Sequence, residues 1–149
     1  MTGKTLRDLV LGKKIDRAPA NMTNGLSLFT VSGGRVMVTA LIGEVTTVIE
    51  TKTVNFKLQA NPTVGTTTDL CSNLDLSADE VGTKYSIAGN AAATAMQRGE
   101  SGSVPAQTTA VICAPGTIDA AVGATHTGAI KWTLFYIPID DGAEIMPAM

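Results

Sequence analysis

The stretch Thr53-Val54-Asn55-Phe56-Lys57-Leu58-Gln59-Ala60 alternates: Val54, Phe56 and Leu58 fall on one side, Asn55, Lys57 and Gln59 on the other. A period of two marks a strand with one face in a core and one in water, because successive side chains leave a pleated strand on opposite faces. Asn61-Pro62 then opens a turn, proline having no N–H to give to a ladder.

The same pattern continues on both sides. Residues 27–31 read as a short strand and Ser32-Gly33-Gly34 as a hairpin turn. Residues 35–42 form a strand rich in β-branched side chains, Gly43 a bulge or break, and residues 44–50 a further strand. Towards the C-terminus, residues 64–68 are threonine-rich and extended, 70–76 short and apolar, and 79–82 loop-like. A strand over 85–88 ends at Gly89-Asn90. Residues 89–107, alanine-rich and then Arg98-Gly99-Glu100-Ser101-Gly102-Ser103 before Pro105, read as an exposed loop. Strands resume at 110–114 and 117–122, around the turn Pro115-Gly116, and at 129–137 after a turn over 123–128. The last strand sets Ile130, Trp132, Leu134 and Tyr136 on one face and Lys131, Thr133, Phe135 and Ile137 on the other. With both faces substantially apolar, it is expected to be central or covered by a partner chain. No segment reads as a convincing helix longer than three turns. Short strands between glycine, proline and asparagine turns predict an all-β fold, a single β-sandwich or open β-barrel domain over residues 26–149.

The 149 residues suit one domain, large enough to need no metal or disulfide staple. Only 16% of residues are charged and 4% aromatic, while 44% are hydrophobic. The longest nearly apolar stretch, residues 36–42, is far short of a membrane helix, so no membrane partner is expected. A net charge of −2 argues against general binding to nucleic acid, which requires a surplus of Lys and Arg. The charge is nevertheless uneven. Lys4, Arg7, Lys13, Lys14 and Arg17 stand against two acids in residues 1–17, whereas Asp140, Asp141 and Glu144 stand without a base in the last ten. Such ends either dock on something or are charged for solubility. Residues 1–25 read as an N-terminal arm that orders only on contact: Leu6, Leu9 and Val10 could make one or two amphipathic turns, but Gly12 interrupts them and Pro19 ends any continuation. Removal of residues 2–20 is then expected to leave the β domain folded. Leu9-Val10-Leu11 is too short for the apolar core of a secretion signal, which places the chain in a reducing cytoplasm.

Little chemistry is spelled out. Cys71 and Cys113 sit in apolar, strand-like surroundings and are expected to pack in the core, with a disulfide between them the lesser alternative. His126 falls in a glycine-bounded turn with no carboxylate or cysteine beside it in sequence; as a base it would need acids from 69–80 to converge on it. Asp69, Asn73, Asp75, Asp79 and Glu80 offer oxygen ligands, but Leu74 stands where a calcium loop requires glycine, so solvated loop acids are expected. Glycines form no phosphate-cradling motif, and no cofactor, metal or catalytic residue is assigned.

Several segments resemble small virion structural proteins of tailed bacteriophages: Leu28-Phe29-Thr30-Val31-Ser32-Gly33-Gly34-Arg35-Val36, Ile42-Gly43-Glu44-Val45-Thr46-Thr47, Asn61-Pro62-Thr63-Val64-Gly65, Asp69-Leu70-Cys71, Ala114-Pro115-Gly116-Thr117-Ile118 and Lys131-Trp132-Thr133-Leu134-Phe135-Tyr136-Ile137-Pro138-Ile139-Asp140-Asp141-Gly142. The likeness spans roughly residues 26–142. It implies a capsid decoration (cement) protein, homotrimeric, made in the bacterial cytoplasm and seated on the outer capsid surface against the major capsid protein. A head fibre base or tail component is a further role such proteins fill. Lys4, Arg7, Lys13, Lys14 and Arg17 are the expected capsid contacts. A β module binding host glycans through the 89–107 loop is the alternative from a recognition class.

Overall fold

The computed structural model describes residues 3–100 and 102–148. Among these residues one α-helix, α1 (Gly3–Leu11), precedes twelve strands: β1 (Lys13–Met22), β2 (Ser27–Ser32), β3 (Val36–Thr47), β4 (Asn55–Pro62), β5 (Thr68–Asp69), β6 (Leu74–Asp75), β7 (Lys84–Ser86), β8 (Gln97–Gly99), β9 (Val111–Cys113), β10 (Gly116–Ala121), β11 (His126–Pro138) and β12 (Glu144–Pro147), with a single 3-10 turn at Ala91–Ala93. They form two antiparallel sheets. The first runs β1-β11-β3-β7-β8, with β9 on β3; the second runs β12-β2-β10-β4-β5, with β6 on β4. The protein is therefore an all-β sandwich.

Each sheet turns an apolar face inward. β4 contributes Phe56 and Leu58, β2 Leu28, Phe29 and Val31, and β10 Ile118; from the opposite sheet come Val36, Val38, Leu41 and Val45 of β3 and Ile130, Trp132, Leu134 and Tyr136 of β11. Trp132 stacks on Phe56 across the sandwich at 5.7 Å between ring centroids, with an interplanar angle of 11°.

Several expectations change. Gly43 is neither bulge nor break, for β3 runs through it; Gly43 pairs with Trp132, whose indole covers the space a side chain would have filled. The register slips instead on either side of Gly43, at Thr46 between Ala129 and Ile130 and at Thr39 between Phe135 and Tyr136, and at Thr39 the alternation of β3 changes phase. Val36 and Val38 thus point into the core before the slip at Thr39, and Leu41 and Val45 after it. Ser32-Gly33-Gly34 is a turn but not a hairpin, because β2 and β3 belong to different sheets. Residues 89–107 are only partly loop: β8 pairs with β7, Met96 is buried, and Ser86 accepts a hydrogen bond from Gln97 and donates one to the carbonyl of Pro105. The acidic end is tied down as well, since β12 pairs with β2 and Asp140 grips Arg35.

The largest departure is at the N-terminus. Most of the segment read as an arm is built into the fold, β1 being the edge strand hydrogen-bonded along β11 from Lys13↔Tyr136 to Met22↔His126. This makes β11 central, and on its second apolar face Phe135 is covered by the chain's own α1 while Ile137 stays exposed.

Candidate functional site

Helix α1 has the sequence Gly-Lys-Thr-Leu-Arg-Asp-Leu-Val-Leu, rich in good helix formers. The i,i+4 pair Lys4–Asp8 closes at 3.0 Å. The helix stops where Gly12 takes a positive φ of 87° and donates its N–H to the Asp8 carbonyl at 3.1 Å, an αL cap. No other residue fits there, because a Cβ would lie 2.0 Å from the Tyr136 carbonyl oxygen. Thr39, a slipped residue of β3, donates its hydroxyl to the Leu11 carbonyl at 2.6 Å and fastens the end of the helix to the sheet.

The helix lies with its polarity reversed. Its half-buried side chains are Arg7, Asp8 and Leu11, and it buries none fully. The guanidinium of Arg7 sits over the Phe135 ring, 5.6 Å from its centroid, and also donates to Asp8 at 2.9 and 3.1 Å. These bonds, from Arg7 first and Lys4 second, hold the Asp8 carboxyl below the usual carboxylate range. Leu6, Leu9 and Val10, at i, i+3 and i+4, point to water with 55%, 68% and 64% of their surface exposed. Spacing of this kind normally marks the side that packs on a core. Here it forms an apolar stripe on the outside.

The five bases expected to touch a capsid are largely occupied within the chain. Lys4 and Arg7 share Asp8. Lys14 lies 3.4 Å from Asp16, whose carboxyl is also lowered, chiefly by the Thr133 hydroxyl it accepts at 2.7 Å. Arg17 donates to the carbonyls of Ala18 and Ser27. Lys13 begins β1 on the exposed edge. The amphipathic turns expected of Leu6, Leu9 and Val10 are present as α1, with the apolar side outward.

The remaining candidates do not converge. His126 is the first residue of β11, not part of a turn, and it is buried. Its Nδ1 approaches Glu50 Oε1 at 3.2 Å, outside hydrogen-bonding geometry, while that oxygen accepts the Thr127 N–H at 2.9 Å. This backbone bond is the main cause holding the Glu50 carboxyl low. The acids of residues 69–80 serve separate local duties. Asp69 accepts from Gln59 and Lys57, Asp75 from the N–H groups of Val54 and Ser77, and Asp79 from the Tyr85 hydroxyl, with Arg98 at 3.4 Å. Asp75, Asp79, Glu80 and Glu100 line an open depression of about 590 Å³ together with Arg98 and Thr83, and His126 does not reach it. Among the described residues, no group of three or more His, Cys, Asp and Glu is placed to hold a metal ion, and no helix is long and apolar enough to cross a membrane. Cys71 and Cys113 are free, buried thiols, each pushed up to about 11 by burial. No protein-family model, curated protein or solved structure matches the chain.

Proposed function

We propose that this is a decoration (cement) protein of a tailed bacteriophage, which binds the outer capsid surface and stabilises the shell by bridging its subunits. It works as a homo-oligomer against the major capsid protein, by binding energy alone and without turnover. The observation that carries this reading is the apolar stripe Leu6, Leu9, Val10, held outward on a sandwich whose core is otherwise closed. Exposed, contiguous apolar surface on a weakly charged domain is the usual mark of a protein interface. Lys13 and Lys14, exposed on the β1 edge, supply a basic rim for an acidic shell. The likeness of residues 26–142 to virion structural proteins supports the same assignment.

A structural protein of this type acts by mass action: each copy that binds only the intact shell raises the free energy needed to open it. The test is to add the purified protein to undecorated phage capsids and follow co-sedimentation and the temperature at which the shells release their contents. Saturable binding and a higher release temperature are expected. Absence of both would remove the assignment.

A further inference from the structure

The apolar surface does not end with the helix. A side chain at Gly12 would lie 2.8 Å from Ile137 Cγ1, so the end of α1 abuts Ile137 on the outer face of the first sheet. Ile137 pairs with Met37, and Met37 with Ile112 of β9. Because Val36 and Val38 point inward, Met37 between them points out, and Ile112 and Ile137 are exposed. A row of apolar side chains across three strands therefore begins where α1 ends.

We infer that the partner of this surface is a second copy of the chain, packed α1 against α1. The proposal rests on the reading of the protein as an assembling virion component and specifies which face joins the copies. Area is the first argument. Five exposed apolar side chains and the half-buried Met37 present on the order of 500 Å² per copy, near the upper end of what a monomer carries. Two such faces with their rims would bury about 1,000–1,600 Å² in total, the range of a specific interface. Charge is the second argument. A contact between like surfaces must be self-complementary, and one carrying a surplus of either sign would repel itself. On α1 the bases Lys4 and Arg7 share the one carboxylate of Asp8, within 3.0 and 2.9 Å, on the side turned to the sheet, and the stripe itself carries no charge, so the net +1 of each helix lies off the contact. The exposed bases at the start of β1, Lys13 and Lys14, suit an acidic shell instead.

The test is the mass of the full chain in solution, by light scattering and sedimentation velocity, from about 1 µM to about 1 mM. Wild type is compared with Leu9→Glu, and with Val64→Glu as a control at a site that is 88% exposed and outside this face. Wild type and Val64→Glu are expected to rise from 15.3 kDa to the mass of two chains. Leu9→Glu should stay at one chain to concentrations at least about tenfold higher, with the circular dichroism and melting temperature of wild type. A wild type that remains at 15.3 kDa throughout, or a Leu9→Glu chain that assembles as wild type does, overturns the inference. So does a Leu9→Glu chain that keeps its assembly but loses binding to capsids, since the stripe would then sit on the shell. Wild type that assembles through α1 yet ignores capsids leaves this inference standing and removes only the decoration role.

Discussion

Replacing Gly43 by alanine tests the central contact of the sandwich. A Cβ there would lie 2.7, 2.9 and 3.0 Å from Cζ3, Cη2 and Cε3 of Trp132. The ring is buried and stacked on Phe56, so it has nowhere to retreat. Overfilling a packed core costs about 1–3 kcal/mol. Against this, alanine at a compatible backbone position recovers about 0.4–1 kcal/mol by restricting the unfolded chain. The net expectation for Gly43→Ala is a loss of about 1–2 kcal/mol, or a fall in Tm of roughly 3–6 °C for a chain of this size. Cutting Trp132 back to alanine should cost more, about 3–5 kcal/mol. The decisive comparison is Gly43→Ala in a Trp132→Leu background, where the colliding ring is gone. There the glycine substitution should be neutral or stabilising, a coupling of about 1–3 kcal/mol. Urea unfolding followed by far-UV circular dichroism measures all four chains, because Trp132 is the only tryptophan and its fluorescence vanishes with it. Equal effects of Gly43→Ala in both backgrounds would refute the packing argument.

Asp140 accepts hydrogen bonds from the Arg35 guanidinium at 2.9 and 2.8 Å and from the Arg35 backbone N–H at 2.8 Å, and its carboxyl is held well below the usual range, the guanidinium being the larger cause. The unfolded chain therefore takes up that proton first as pH falls, so the stabilisation is full above the ordinary aspartate pKa of about 3.9 and lost as pH drops through the native value. Asp140→Asn should flatten the loss of urea midpoint between neutral pH and about pH 3; an unchanged slope would contradict the pairing. Cys71 and Cys113 should resist a thiol reagent at about pH 8 in the native protein and both react after unfolding, and prompt native labelling would show that a thiol is accessible. Deleting residues 2–11 should leave a folded sandwich with a lower Tm, whereas deleting residues 2–20 removes most of β1, exposes the edge of β11 and should give aggregation; a soluble, cooperative 2–20 deletion would mean that β1 is dispensable.

Period-two patterns exposed the strands whose two faces meet different environments. β4 and β11 could be read directly, because Phe56 and Leu58, or Trp132 and Leu134, alternate with polar or smaller residues. What stayed hidden was set by distant partners. Nothing local to Gly43 announces that Trp132, far along the chain, will roof it, so a glycine in a strand looked like an interruption. β1 was missed because an edge strand with exposed Lys13, Lys14, Asp16 and Pro19 has the composition of a tail, those charges and that proline being the usual protection of a sheet edge. β12 was missed for its length, although Ile145, buried between Glu144 and Met146, is the alternation in miniature. At the candidate site, the apolar spacing of α1 was visible, but the side it would present was not. That side depends on Phe135 lying under Arg7 and on Thr39 slipping the register to reach the Leu11 carbonyl, and both are tertiary facts.

The reversed helix can be given a magnitude. Fully burying a leucine or valine gains about 1.5–3 kcal/mol, so side chains exposed by half to two-thirds leave roughly 3–5 kcal/mol ungained over Leu6, Leu9 and Val10. Turning α1 over would bring those residues to the sheet, but it would cost the Arg7–Phe135 contact and would aim Arg7 and Asp8 at solvent. The present packing thus holds the helix down by a cation–π contact and by the Thr39 hydroxyl on the Leu11 carbonyl, and leaves its hydrophobic energy for association. For a pair of copies that reserve totals roughly 6–10 kcal/mol, which does little more than offset the about 4–15 kcal/mol lost when two free molecules are immobilised against each other. The stripe alone therefore gives weak pairing, and the row Ile137, Met37, Ile112 is needed to bring the association into a measurable range. On a repeating surface the balance changes, because copies already held side by side by the shell meet at high effective concentration and most of the immobilisation cost has been met. A face of this strength leaves the chain soluble when free and makes it cohesive once arrayed, and substitutions that strengthen it should raise self-assembly in solution more than they raise occupancy of the shell.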